Sequence, residues 1–424
     1  MTETAPRTVA ETGASGAAPL AGLRVLELGT SRAGAFAGAM LADMGADVVK
    51  VEGSGAERAG TAGRVDWRRV DRLAFDRGKR SVVIDLVLPA GQDVLLRLVG
   101  WSDVLLDECG AHVLSGLGLD DEDLLRRNPE LVHCTVTPFG GTQTAGTPTV
   151  TASSEELVVQ ALSGNMDLTG HAGGPPDELG IPLCDLASGV YAVVGILGAV
   201  VSGRQTRVEV AKMDVAVALL SYMAVGYFAD GDAPTRVGTG HSTIFPYNSF
   251  PALDGEVVVA PFTQRFWRNF CTATAREDLT EVDTYKDFAS RLRHKEALLK
   301  VFEPVMAGKT VAEWVEIFRV ADVPAGPVLS VPGALTLPQT IERGLTPELT
   351  LETGERMQCA GSPYRFHYSD GTTFAPEPTR PPGPPGARQP SWWRAQTSPV
   401  RTPPCPSWER GKPSRTRRSP THRA

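Results

Sequence analysis

What the chain lacks narrows its class. Its six cysteines, at positions 109, 134, 184, 271, 359 and 405, form no C-x-x-C pair. That scatter argues against a metal site or a disulfide frame and fits a reduced, cytoplasmic protein. Long hydrophobic runs are missing as well. The longest, Val190–Val201, has 12 residues, too few to cross a bilayer and suited to a buried helix, so no membrane partner is expected. The opening Met1-Thr-Glu-Thr-Ala-Pro has no apolar core segment and does not read as a secretory leader. The basic balance of a nucleic-acid binder is absent too. Net charge is −7, and residues 376–424 alone hold nine Arg and one Lys against two Glu, which leaves −15 on the rest. An Arg-rich tail of that kind is usually just solvated.

What is present reads as α/β. At 424 residues the chain is long for one core, so two domains are expected. Residues 1–18, rich in Ala, Gly and Thr, read as a disordered N-terminus. A β-α-β pattern follows: strands at Leu23–Leu28 and Asp47–Val51 flank a turn over Gly29–Gly34 and a small-residue helix, Ala35–Met44. Strands at 80–86, 103–106 and 131–136 alternate with helices at 92–99 and 120–127, which implies a parallel sheet covered on both faces. Beyond the apolar helix that begins at Asp185 come a short strand, Thr206–Val210, and an apolar helix, Ala211–Phe228, expected to be buried. Residues 19–230 thus form a large Rossmann-like domain. Residues 231–330 read as a smaller α+β domain, with a hairpin at Asn248–Ala260 turning at Asp254-Gly255 and helices at 265–274, 285–306 and 311–320. Residues 331–375 return to the large domain. From Pro376 to Ala424 there are 13 prolines in 49 residues, and that tail is expected to be disordered.

Two features point to chemistry. The glycines at 29, 34 and 38 follow G-x4-G-x3-G rather than G-x-G-x-x-G, and the turn carries Arg32, so a nicotinamide or flavin site is disfavoured. A nucleotide-like ligand at the same sheet edge is not. The second feature is Asp185, in Gly180-Ile-Pro-Leu-Cys-Asp185-Leu-Ala-Ser-Gly189. Its place before an apolar run reads as an N-cap, whose carboxylate accepts backbone N–H bonds. The same setting would keep a carboxylate ionised and fixed, as a nucleophile requires.

A series of short segments then carries a resemblance. Pro19-Leu-Ala-Gly-Leu-Arg-Val-Leu-Glu-Leu28, Ala33-Gly34 and Leu41-Ala-Asp-Met-Gly-Ala-Asp-Val-Val-Lys-Val-Glu52 resemble the opening of family III coenzyme A transferases, the group that includes the α-methylacyl-CoA racemases. Lys79–Leu86, Ser102–Leu105, Asn128–Val132, Gln160–Gly164, Gly180–Gly189, Phe245–Tyr247, Asp254-Gly255 and Val323–Val328 continue it, in order, over roughly residues 19–366.

The resemblance implies a large and a small domain, with two chains interlocked as a homodimer. It implies CoA transfer between an acyl-CoA and a carboxylic acid, with no permanently bound cofactor and no metal. Asp185 falls on the family's catalytic aspartate, which forms aspartyl anhydride and aspartyl-CoA thioester intermediates. Glu156 matches an acidic residue beside that nucleophile; a solvated helix start is its plain alternative. Arg32 and Ala33 fall on a turn that touches CoA, and Lys79, with Arg77 and Arg80 beside it, on a basic CoA-binding segment; an ordinary exposed pair is the alternative for Lys79 and Arg80. His241 and Tyr247 lie in a loop that resembles the small domain's approach to the site. A racemase using Glu155 and Asp185 is a rival, disfavoured because Glu155 stands where that branch has a His. A non-catalytic CoA-binding member is a second rival. Departures from the family's pattern include Asp107-Glu108-Cys109 in place of Glu-Asn-Phe, and Gly53 and Gly116 in place of basic residues.

Overall fold

Strands with aliphatic side chains on both faces build a six-stranded parallel sheet: β1 (Arg24–Leu28), β2 (Asp47–Glu52), β3 (Arg80–Val83), β4 (Val104–Asp107), β5 (Val132–Thr137) and β6 (Thr206–Ala211). The computed structural model describes residues 18–29, 31–53, 67–109, 111–116, 120–141, 156–350 and 354–376. The strand order is β3-β2-β1-β4-β5-β6, every pair parallel. Alternation along β1 sends Val25 to one core and Leu26 and Leu28 to the other. The first core holds the helices Arg32–Asp43 and Leu183–Ser202; the second holds the helix Pro89–Trp101. Burial on both faces is what a parallel sheet requires. Where the order reverses, between β1 and β4, the carboxyl ends of the strands leave a crevice, the usual ligand position in such sheets.

The helices Arg32–Asp43 and Leu183–Ser202 pack closely because Gly189 has no side chain. A Cβ there would lie 2.6 Å from the carbonyl oxygen of Ala33. The Leu183–Ser202 helix has 20 residues and is apolar enough to cross a membrane by length and composition, but Ala192, Val193, Ile196 and Ala199 are buried against the sheet.

Several element bounds differ from expectation, two of them near the site. The first helix begins at Arg32 rather than Ala35: Ser31 caps it, so the segment read as a turn already has its backbone N–H groups satisfied. The apolar stretch read as one buried helix over 211–228 is two, Lys212–Ala218 and Tyr222–Asp230, broken at Ser221 with φ 46°. The second has no buried residue, and Tyr222, Val225 and Phe228 face outward. Its composition mimicked a core helix without its being one.

Residues 245–325 hold their own core beneath a three-stranded antiparallel sheet of β7 (Asn248–Pro251), β8 (Glu256–Val259) and β9 (Ala325–Pro327). The hairpin turn at Asp254-Gly255 lies between β7 and β8 as read. The segment expected as one helix over 285–306 is instead Phe288–Arg293 and Lys295–Met306, with Asp287 capping the first. Arg291 is fully buried among these aromatics, its guanidinium 4.7 Å from the Trp267 ring centre. It donates to the Phe245 and Tyr285 carbonyls at 3.0 and 2.8 Å. Burial lowers its pKa to about 10. Further along, Tyr364 and Phe366 pack on the first core of the parallel sheet.

Candidate active site

Asp185 is not an N-cap. Pro182 occupies that position, and Asp185 stands in the first turn of the Leu183–Ser202 helix, 6% exposed. The capping is done by Glu156, at the start of the helix Glu156–Leu162. Its Oε1 accepts the Cys184 N–H at 2.8 Å and its Oε2 accepts the Asp185 N–H at 2.7 Å. A carboxylate there meets the positive end of the helix and two of its orphan donors. Gln160 Nε2 donates to Glu156 Oε1 at 2.8 Å and fixes its rotamer, while Gln160 Oε1 accepts the Leu179 N–H at 3.0 Å. Glu156 is therefore a buried part of the site, not a solvated helix start.

With its main chain held in this way, the Asp185 side chain has a different partner. Oδ1 forms an ion pair with Nζ of Lys212, the first residue of the helix that follows β6. Lys212 is itself only 6% exposed. The pair fixes the position of the carboxylate at the start of the helix. The neighbouring thiol is no competitor, since burial, aided by the Glu156 and Asp185 charges, pushes Cys184 up to about 12.

The crevice between β1 and β4 is occupied by a second carboxylate, Glu108. It accepts the Ser31 N–H at 2.9 Å, the Gly34 N–H at 2.6 Å and the Ser31 hydroxyl. Gly34 leaves the space, for a Cβ there would lie 2.4 Å from the Glu108 carboxyl carbon. Burial pushes Glu108 up to about 7 against the lowering effect of the Ser31 and Gly34 bonds; the Glu27 charge adds to the rise and the Lys212 charge opposes it.

Arg32 opens the first helix and is exposed, paired with Asp71 at 3.1 Å. Asp71, and beyond it the charges of Asp185 and Glu156, raise its pKa above the ordinary guanidinium range. Ala33 is buried at the contact with Gly189. The fold thus brings Asp185, Glu156, Arg32 and Ala33 to one end of two packed helices. The other basic residues are engaged elsewhere. Lys79 is buried, 2.6 Å from Glu27 and bonded to the Ala35 carbonyl; Arg77 is buried against Asp43 at 2.7 Å; Arg80 pairs with Asp47 at 2.6 Å at the start of β3. The exposed-pair alternative for Lys79 and Arg80 fails at Lys79, which is buried, while Arg80 is half-buried. His241 and Tyr247 make a tilted ring contact in the loop before β7, with ring centres 5.1 Å apart. Glu155 lies outside the described residues.

Sequence reasoning missed Lys212 and passed over Glu108. Lys212 did carry a signal: it is the lone cation in Val208-Glu-Val-Ala-Lys-Met-Asp-Val-Ala-Val-Ala218, an otherwise largely apolar stretch. A cation there needs a buried partner.

The doubly covered parallel sheet makes this an α/β protein, and the ion-paired carboxylate at a helix start marks its candidate site. The family model described as CoA-transferase family III matches residues 20–381, and the chain belongs to that family. It is a CoA-transferase. It is 33% identical to the succinate–glutarate CoA-transferase of Agrobacterium fabrum, over 79% of this chain and 86% of that protein. It is 34% identical to the succinyl-CoA:mesaconate CoA-transferase of Haloarcula hispanica, over 81% and 89%. Among solved structures it resembles a CaiB/BaiF family protein from Brucella suis, with TM-score 0.74 and 28% identity over 86% of this chain and 96% of that one.

Proposed function

We propose that this CoA-transferase moves CoA from an acyl-CoA to a carboxylic acid with Asp185 as the nucleophile. The observation that carries the reading is the buried Asp185 carboxylate, held by Glu156 through its main chain and paired with Lys212. The carboxylate attacks the thioester carbonyl, the C–S bond breaks, and a mixed anhydride and CoA thiolate form. The thiolate attacks the aspartyl carbonyl and releases the donor acid, leaving an aspartyl-CoA thioester. The acceptor carboxylate then displaces the thiolate, which returns to attack the acceptor's acyl carbon and regenerates Asp185. Each intermediate keeps an activated acyl bond at Asp185, so the thioester's free energy is conserved away from water.

Arg32 and Ala33 are assigned to the CoA-binding edge, where Arg32 can exchange Asp71 for a phosphate. For Lys79, Arg77 and Arg80 the local carboxylates support a role in holding the sheet and first helix together. Residues 19–230 and 231–330 are assigned as large and small domains. The outward apolar residues of Tyr222–Asp230 favour an interlocked homodimer, which would cover them. The chemistry calls for no resident cofactor, and the free cysteines favour the cytoplasm. Dicarboxylic acyl groups head the donor panel, because the two relatives above are named for them.

The test is intact-protein mass spectrometry after incubation with such a panel and trapping with hydroxylamine. A hydroxamate at Asp185, absent from Asp185→Asn, supports the reading. No adduct with any acyl-CoA that binds would overturn it.

A further inference from the structure

The Asp185–Lys212 pair is balanced only while Asp185 is a carboxylate. Both residues are 6% exposed, and they come from the two ends of one helix–strand unit, the helix Leu183–Ser202 and the residue directly after β6. A buried ammonium stripped of its counter-charge is costly. The transfer reaction strips it. Once Asp185 has become an anhydride or a CoA thioester its negative charge is gone, while the lysine remains where the fold put it.

Among the described residues, the other groups around the pair are already engaged. Glu156 is committed to the N–H groups of Cys184 and Asp185 and to the Gln160 amide, and the Lys212 charge also acts on Glu108 and Cys184. Glu108 is committed to the N–H groups of Ser31 and Gly34 and to the Ser31 hydroxyl, and it is held toward its neutral form. Cys184 is a neutral thiol. The thioester state therefore leaves the Lys212 ammonium without its ion-pair partner, beside the acylated carbon.

We propose that Lys212 is the acceptor subsite: its ammonium, freed when Asp185 is acylated, binds the incoming carboxylate and holds it beside the aspartyl carbonyl. The inference rests on Asp185 as the nucleophile. It names the substrate class that the subsite selects, a carboxylate anion over water, alcohols and other neutral nucleophiles. The acceptor oxygen attacks the Asp185 carbonyl, the C–S bond breaks, and CoA leaves as thiolate. When the thiolate attacks the acceptor's acyl carbon, the C–O bond to Asp185 breaks and the regenerated carboxylate takes back the lysine. Lys212 thus passes between two carboxylates.

The experiment compares the wild type with Lys212→Met and Lys212→Arg. In a double-displacement scheme kcat/KM for the acyl-CoA reports attack by Asp185, and kcat/KM for the acid reports capture by the thioester enzyme. Lys212→Met is expected to lower kcat/KM for the acid about 100-fold, and at least tenfold more than kcat/KM for the acyl-CoA. Hydrolysis of the acyl-CoA should rise relative to transfer, and Lys212→Arg should restore most of the acid-side value. Equal losses on both sides, or a loss confined to the acyl-CoA side, would overturn the subsite and leave Lys212 as a counter-ion of the nucleophile alone. Hydroxylamine trapping on the same samples separates the two readings. An adduct at Asp185 in wild type with no acid-side selectivity in Lys212→Met defeats only the subsite; its absence in wild type defeats the nucleophile. Should Lys212→Met not fold, the acid-side loss is read from Lys212→Gln, with the same two outcomes.

Discussion

Glu156 accepts the backbone N–H of Asp185 at 2.7 Å, so one carboxylate steadies another without touching its side chain. This division of labour keeps the Asp185 oxygens available for Lys212 and for chemistry. Glu156→Ala would leave the Cys184 and Asp185 N–H groups unpaired at a buried helix start. Stability should fall by about 1–3 kcal/mol. kcat should fall about 100-fold as the nucleophile loses its fixed position. Glu156→Gln, which keeps one acceptor oxygen, should lie between. Urea melts and steady-state rates on the three proteins check both effects.

Glu108 predicts a pH dependence of stability. Its carboxyl rises from the ordinary 4.5 to about 7 in the folded protein. Between those values the folded state holds a proton that the unfolded state has released. This group's contribution therefore falls as pH rises from about 4.5 to about 7 and is flat above that, a loss on the order of 3 kcal/mol. Glu108→Gln removes the dependence. Relative to wild type the variant should gain stability between pH 5 and pH 7.5, read from urea unfolding at both pH values.

Gly189 should tolerate no side chain. Its Cβ would meet the backbone oxygen of Ala33, which cannot move aside as a flexible side chain could. Gly189→Ala is expected to cost about 1–3 kcal/mol and to depress activity by parting the helices that carry Arg32 and Asp185. Gly198 is on the same helix with nothing near its missing Cβ. Gly198→Ala should be neutral or stabilise by up to about 1 kcal/mol. Denaturant unfolding of the pair separates crowding from helix propensity.

Arg291 ties the small core to the loop that carries His241 and Tyr247. Arg291→Met fills much of the same volume but leaves the Phe245 and Tyr285 carbonyls without their donor. A loss of about 2–4 kcal/mol is expected in urea unfolding. KM for the acyl-CoA should change less than kcat/KM does on Asp185→Asn.

Much of this protein is written in local patterns. The strands from Leu23 to Val210 and the hairpin turn at Asp254-Gly255 follow from aliphatic runs and turn residues, and the positions of Asp185 and Glu156 were legible beside them. The misreadings share a cause. Local pattern does not reveal the partner across the fold. Asp185 looked like a cap because Glu156, 29 positions earlier, was not visible as the group that caps it. Arg77 and Lys79 looked available because Asp43 and Glu27, which neutralise them, lie on other elements. Tyr222–Asp230 looked buried because composition cannot tell a core from a face awaiting cover.

The contact between Ala33 and Gly189 joins segments more than 150 positions apart in the chain. Closing a loop of that size carries a larger entropy cost than pairing neighbouring strands. On the ribosome the first β-α-β unit would wait through most of the large domain's synthesis before the helix of Asp185 arrives to complete it. Asp185 thus acquires its full setting only once that later helix, and Lys212 after β6, have been made.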